Sequence, residues 1–460
     1  MTESKLENPE ISDDAYLLNA AHVADILDAV QNGQLSPLEA LLEPLHPADI
    51  ADLLEQISAG EREALLTLLG DRLDGDVLSE LSDSLREEVL DFLPNDVLTI
   101  AVRELETDDV VDLIEDLEEA QQGLVLGALE DADRVAVEQA LLYPEETAGR
   151  LMQRKLVMAP THWTVGQTID YMRDQDDLPE QFYDVIVVDP RLRPVGKAPL
   201  GRIMASRRDT ALSEIMEDDF RTIPALQSEE DVAYAFNQYH MVSAPVVDAN
   251  DRLVGVITID DAMVVLDESA EEDIKRLAGL GDESLTDRVI STTRRRFPWL
   301  AVNLVTSILA SLVIAQFSST IEAIVALAVL MPIVASMGGN AGTQSLTVAV
   351  RAIATKDLTG SNVWRVIRRE TLVGLANGIL FAILIGVIGT FWFGDAWLGV
   401  VLAMAMILNL LVAGVAGVLI PIWLEKLGID PALASGAFVT TVTDVVGFFA
   451  FLGLAALLLL

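Results

Sequence analysis

The sequence predicts a multidomain protein: an all-α superhelical N domain, an α/β pair of half-repeats, a connecting helix and a five-helix α transmembrane domain. Three observations predict it. The excess of acidic charge is confined to the first 293 residues, a β-branched pattern occurs twice between residues 144 and 265, and five long apolar runs follow Arg294. The expected bounds are 1–143, 144–265, 266–293 and 294–460.

The N domain is set apart by charge and period. Met1 to Thr293 hold 21 Lys+Arg against 65 Asp+Glu, a net of −44, whereas Arg294 to Leu460 hold 9 against 7. Such a surface repels itself unless cations are present. It argues against nucleic acid and anionic lipid headgroups as partners and suits divalent cations; a solubility surface is the plainer reading. Residues 15–140 carry apolar residues at three- and four-residue spacing, as in ADIADLLEQI and DVLSELSDSLREEVLDFL, with helix starts at Ser36-Pro37 and Pro47-Ala48-Asp49. Loose likeness among these pieces suggests a stacked helical superhelix. The chain has no Cys, which excludes disulfides, thiolate metal sites and a Cys nucleophile. The N-terminal MTESKLENPE reads as polar and acidic, with no signal peptide.

In the second part, LVMAPTHWTVGQTIDYMRD and FYDVIVVDPRLRPVG parallel FRTIPALQSEEDVAYAFNQYHMVSAPVVDANDRLVG. Each half pairs short β-branched strands with turns and a helix. This doubling resembles a tandem pair of cystathionine-β-synthase (CBS) motifs, which implies a regulatory sensor and adenine nucleotide, ATP, at the pair. The second copy is the better match; Arg191-Leu192-Arg193-Pro194 and Pro199 depart from the usual strand of the first. Residues from about 267 to 292 read as a polar helix placed to couple the sensor to the membrane.

The apolar runs cover about 297–317, 321–350, 371–393, 397–424 and 433–460. A helix needs ~20 apolar residues to span a bilayer, and lipid demands internal pairing of every backbone polar group, hence helices. Arg294 to Arg296, the Arg351–Arg369 loop and Lys426 fall on one side, while the loops QFSST and GDA lack Lys and Arg. The positive-inside rule then puts the N-terminus in the cytoplasm and the C-terminus outside. Trp299, Trp364, Trp392, Trp397 and Trp423 lie near span ends as interfacial anchors. Pro332 and Gly338-Gly339-Asn340-Ala341-Gly342 interrupt the second run. They read either as a helix break lining a site or as close helix packing.

Asp444 is the one acidic residue expected deep in an apolar run. A charge at the bilayer centre costs ~2.5–3.5 kcal/mol on insertion scales and is a functional-site hypothesis by default. No Lys, Arg or His within a run neutralises it. A cation shared by two Asp444 of a homodimer, a proton relay, or a protonated Asp bonded between helices would each serve. Mg²⁺ takes oxygen ligands and keeps its water, so two carboxylates with backbone carbonyls suit it. No GxSxG, HExxH or P-loop with Lys is present, which makes an enzyme the poorer reading. A proton-coupled or Co²⁺ carrier and a CBS-regulated membrane receptor stay open as alternatives.

PIVASMGGNAGTQSLTVAVRA in the second run and GIDPALASGAFVTTVTDVVG entering the fifth resemble the MgtE family of bacterial magnesium transporters, as does the domain order. The resemblance implies a homodimeric Mg²⁺ channel of the cytoplasmic (inner) membrane. Its pore site matches Asp444, beside Gly338-Gly339-Asn340 and with carbonyls matching Gly436 and Thr440. It also implies regulatory Mg²⁺ that holds a plug helix closed, at positions matching Asp76, Asp108 and Asp112, Glu230 and Asp261, and Glu272 and Asp273. Thr343 stands where the family often has Asn, and His240, Val264 and Ser269 stand at positions of expected acidic ligands.

Overall fold

The computed structural model describes residues 18–460 except 104, 116, 118, 176, 177, 180 and 281–288. The readings for the N-terminal stretch and for the end of the connecting segment lie outside these residues. The chain forms two compact units, Met1–Asp267 and Glu268–Leu460.

The first unit opens with ten α-helices among the described residues. They are α1 (Ala20–Gln31), α2 (Leu35–Leu42), α3 (Pro47–Gln56), α4 (Ala59–Leu69), α5 (Asp76–Ser79), α6 (Asp83–Phe92), α7 (Asn95–Ala101), α8 (Thr107–Glu115), α9 (Glu119–Ala128) and α10 (Asp131–Ala140). Local chemistry starts them. Asp49 and Glu61 close capping boxes at α3 and α4, bonding the His46 and Ser58 backbone N–H groups at 3.0 Å each. One continuous core, from Ile26 to Ala140, takes the apolar face of every helix. Arg62, 3% exposed, ties it together: its guanidinium donates to the Leu54 and Ile57 carbonyls and pairs with Glu88 at 2.8 Å.

After the short helix α11 (Ala148–Leu151) come β1 (Met158–Pro160), α12 (Val165–Asp174), β2 (Asp184–Val188), β3 (Pro194–Pro199), α13 (Leu200–Ala205), α14 (Leu212–Ile215), β4 (Ile223–Pro224), α15 (Glu229–Tyr239), β5 (Ser243–Val247) and β6 (Leu253–Thr258). The doubling is plain in the strands. Each half is a three-stranded sheet, β1-β2-β3 or β4-β5-β6, with the first pair parallel and the second antiparallel. Both carry a register shift at the same place, Val187/Val188 and Val246/Val247. Both turns are held by an Asp, Asp189 accepting from the Arg191 and Arg193 backbone and Asp248 from Asn250 and Arg252. Despite its unusual sequence, the first half thus has the geometry of the second.

Helix α16 (Ile259–Leu277) runs from the first unit into the second. The second unit continues with α17 (Val289–Gln316), the short α18 (Ser318–Ala323), α19 (Ala326–Ala354), α20 (Val363–Phe393), α21 (Ala396–Lys426) and α22 (Pro431–Leu458). Five stretches are long and apolar enough to cross a membrane: Thr292–Gln316, Ala326–Ala354, Val363–Phe393, Ala396–Lys426 and Pro431–Leu458. The chain is a multi-pass membrane protein.

One expectation needs correction. Pro332 and Gly338 to Gly342 do not break the second span, since α19 is a single helix through both; the break falls earlier, between α18 and α19. The glycines serve approach. A methyl group on Gly342 would lie 2.6 Å from Val439 Cγ1, and one on Gly417 of α21 would lie 2.7 Å from the Gly342 carbonyl oxygen. Small residues let helix backbones meet in lipid, where apolar side chains gain nothing over lipid tails.

A candidate ion path and an acidic cluster

Asp444 lies in mid-helix on α22, half-buried, with no hydrogen-bond or ion-pair partner among the described residues. Helical spacing sets Gly436, Thr440 and Asp444 on one face. The Thr440 hydroxyl donates to the Gly436 carbonyl at 2.6 Å, and the Thr443 hydroxyl donates to the Thr440 carbonyl at 3.0 Å. Both carbonyls also belong to the continuous helix, so each offers outward only what its helical and hydroxyl bonds leave. Across from this face a Cβ on Gly339 would lie 3.7 Å from Thr440 Cγ2, which brings Gly339 and Thr440 together. Asn340 is exposed and donates weakly to Ser336 Oγ at 3.4 Å; Thr343 donates its hydroxyl to the Gly339 carbonyl at 3.0 Å.

The end of α16 meets the start of α22 within the second unit. Arg276 pairs with Glu272 one turn back at 2.8 Å and reaches Asp430, the N-cap of α22, at 3.3 Å. Burial and the Asp430 charge push the Asp273 carboxyl up, while Arg351 and Arg276 pull it down. Leu277 packs on Leu346, Val350, Ala432 and Val439, and its carbonyl oxygen lies 3.8 Å from where a Cβ on Gly436 would stand. Glu272 and Asp273 therefore lie near the start of α22.

In the first unit the fold gathers a second acidic group. Asp108, on the first turn of α8, is 8% exposed, and neither carboxylate oxygen has a hydrogen-bond partner. Burial raises its pKa well above the usual carboxylate range, and Asp261, Asp109 and Glu106 add to this. Asp109 is pushed up to about 7 by burial and then by Glu106, Asp76 and Asp112. Asp261, on the first turn of α16, is pushed up to about 7 by burial and Asp260, against hydrogen bonds from the Thr258 hydroxyl and N–H. Among the predicted residues, Asp76, Asp108, Asp112 and Asp261 thus share one electrostatic neighbourhood. Asp112 is also engaged by Arg86 at 2.6 Å. Glu230 stands exposed in the first turn of α15 and is not brought to the group. His240 ends α15 in the left-handed region, φ 51°, as its C-cap, and Val264 is exposed. No set of three or more His, Asp or Glu among the described residues is placed to hold a metal ion as it stands.

Sequence reasoning missed Asp109, Glu370 and Asn409. Asp109 shares a helix turn with Asp108 and Asp112, and only packing separates them. Glu370 is buried because α20 begins at Val363, earlier than the predicted span; it accepts from Ser345 Oγ at 2.9 Å. Asn409 had a signal, since it is the only polar side chain between Trp397 and Glu425.

The family model for the MgtE divalent cation transporter matches residues 331–454, that for the MgtE intracellular N domain matches 45–146, and a CBS domain model matches 212–268. The magnesium transporter MgtE of Bacillus subtilis (strain 168) is 30% identical over 358 residues, 78% of this chain and 79% of its own. That of Enterococcus faecalis is 34% identical over 321 residues, 70% of this chain and 71% of its own. The cytosolic domain of the Mg²⁺ channel MgtE, solved in complex with ATP, is 30% identical, covers 53% of this chain and 99% of its own, and aligns with a TM-score of 0.49. With its N domain, CBS region and membrane helices all matched in order, the chain belongs to the MgtE family of divalent cation transporters.

Proposed function

We propose that this chain forms a homodimeric, Mg²⁺-selective channel of the cytoplasmic membrane, closed by cytoplasmic Mg²⁺. One observation carries the reading: a half-buried carboxylate, Asp444, stands partnerless in the middle of a membrane helix. Two such carboxylates facing each other across a dimer axis would hold a dication that keeps most of its water. Gly339, Asn340, Gly436 and Thr440 would line the approach. The N domain and plug helix face the cytoplasm and the C-terminus lies outside, as the Lys and Arg distribution favours.

The acidic cluster supports the regulation. Asp108 is buried with both oxygens free of hydrogen bonds, an arrangement a cation relieves. Asp108, Asp109 and Asp261 would hold regulatory Mg²⁺ in the first unit, with Asp76 and Asp112 beside them, and Glu272 and Asp273 would do so near Asp430. Few direct carboxylates suffice, since Mg²⁺ retains waters. Ions that bind the closed arrangement more tightly shift the population toward it. The Leu277 contacts with α19 and α22 support a plug at the end of α16. ATP would enter beside Asp184, which now accepts from Lys197 Nζ and Ser243 Oγ. That cleft holds about 20 Å³, room for about one water, so an adenine ring requires lining residues to move aside.

The test is Mg²⁺ flux into liposomes holding the full-length protein. Asp444→Asn and Asp444→Ala are expected to abolish flux while the oligomer stays intact by size-exclusion chromatography. Flux persisting at the wild-type level removes Asp444 from the path. Flux that follows a pH gradient rather than voltage and Mg²⁺ concentration replaces the channel with a proton-coupled carrier.

A further inference from the structure

Asn409 of α21 is fully buried. Its Nδ2 donates to the Val334 carbonyl of α19 at 2.8 Å, a group that also belongs to the helix ladder of α19. Its Oδ1 has no hydrogen-bond partner. The opposite amide orientation would set Oδ1 against a carbonyl oxygen, so the bond itself fixes which end is which. Two glycines bracket the amide. A methyl group on Gly338 of α19 would overlap it, and one on Gly447 of α22 would lie 2.7 Å from Nδ2. Gly338 opens the Gly338-Gly339-Asn340 stretch, and Gly447 stands three residues beyond Asp444. From behind, Asn409 thus touches both helices that carry the ion path.

Stability alone is a poor account of this residue. A buried acceptor without a donor loses its hydration and gains nothing, whereas an apolar side chain of similar shape carries no such cost. Close packing of α19, α21 and α22 is already provided by glycines. What a hydrogen-bonded amide adds is a fixed distance. The geometry assigns Asn409 as a positioning residue that sets the separation of α19 and α22 at the level of Asp444 and thereby the choice among divalent cations. The assignment rests on Asp444 being the ion site. The size and rigidity of the passage bear on this choice, because Mg²⁺ gives up water reluctantly and keeps a near-octahedral shell, while Ca²⁺ accepts larger, irregular shells.

The experiment uses full-length protein in liposomes, with Mg²⁺ and Ca²⁺ entry read by entrapped indicators and unfolding midpoints read in detergent. In Asn409→Leu the midpoint stays at or above wild type, and the Mg²⁺-to-Ca²⁺ flux ratio falls roughly tenfold or more, the scale at which outer-shell partners act on metal sites. If that variant does not insert, the pair Asn409→Ala with Gly338→Ala removes the amide and fills its space, and the same fall in ratio is expected. A wild-type ratio in a folded variant overturns the assignment, as does a fall that appears only in step with a lowered midpoint. Asp444→Asn runs in the same series. If it conducts like wild type, the ion-site reading fails; if it is dead while Asn409→Leu keeps the wild-type ratio, only the role of Asn409 fails.

Discussion

Single carboxylates in this chain are held in places that water would not choose. Asp109 and Asp261 are raised to about 7, and burial raises Asp108 well above the usual carboxylate range. An acid whose folded pKa lies above its unfolded value binds its proton more tightly in the fold, so stability is greatest when it is protonated. Without divalent ions, the contribution of Asp109 and Asp261 to stability should therefore fall as pH rises from about 4 through about 7, at ~1.4 kcal/mol or less per group per pH unit, and Asp108 acts in the same direction. Unfolding midpoints in EDTA at pH 5, 6, 7 and 8 check the slope, and millimolar Mg²⁺ is expected to flatten it. Asp108→Asn should raise the EDTA midpoint and weaken its response to Mg²⁺; a lowered midpoint in EDTA contradicts the account of that site. Asp444 stood out in the sequence because a charge amid apolar residues is costly in a bilayer. Asp108 was legible only through family likeness. Asp109 was not, because TDDVVD offers several acids on one turn and only the packing of α8 decides which are dehydrated.

Among the elements, helices in lipid are the more readable. All five spans follow from apolar length, and the errors sit at their ends, where Val363 to Glu370 continue α20 into a charged sequence. What the pattern cannot show is why glycine occupies α19 and α21. Composition allowed a break or a close contact, and the approach of Gly417 to the Gly342 carbonyl decides for contact. Gly417→Ala should thus force backbone apart and lower the detergent unfolding midpoint, by the ~1–3 kcal/mol typical of overpacking. Gly360→Ala, in open space, should leave the midpoint within about 0.5 kcal/mol, as surface changes usually do. Equal effects from the two substitutions would refute the packing argument. The paired sheets were visible as a repeated pattern, but the shared register shift was not, since it depends on strand pairing.

Over the whole molecule, a net charge of −42 is an instruction about ions. Amides of α8 and of the first turns of α16 should exchange more slowly as Mg²⁺ rises to millimolar levels, and protease cleavage of the first unit should slow with them. NaCl at matched ionic strength should not reproduce the effect, because screening acts weakly on buried charges. Exchange that responds equally to both salts would assign the response to surface repulsion. A different solvent governs the other end of the chain. Only 6% of the most apolar 18 residues of α17 are buried within the chain, against 56% for those of α21. At 1.5 Å per residue its 25 residues exceed a hydrocarbon thickness of ~30 Å. A rod longer than the layer it crosses tilts until it fits, so α22, which packs on α17, and any second copy of the chain decide how far it leans in thin and thick membranes.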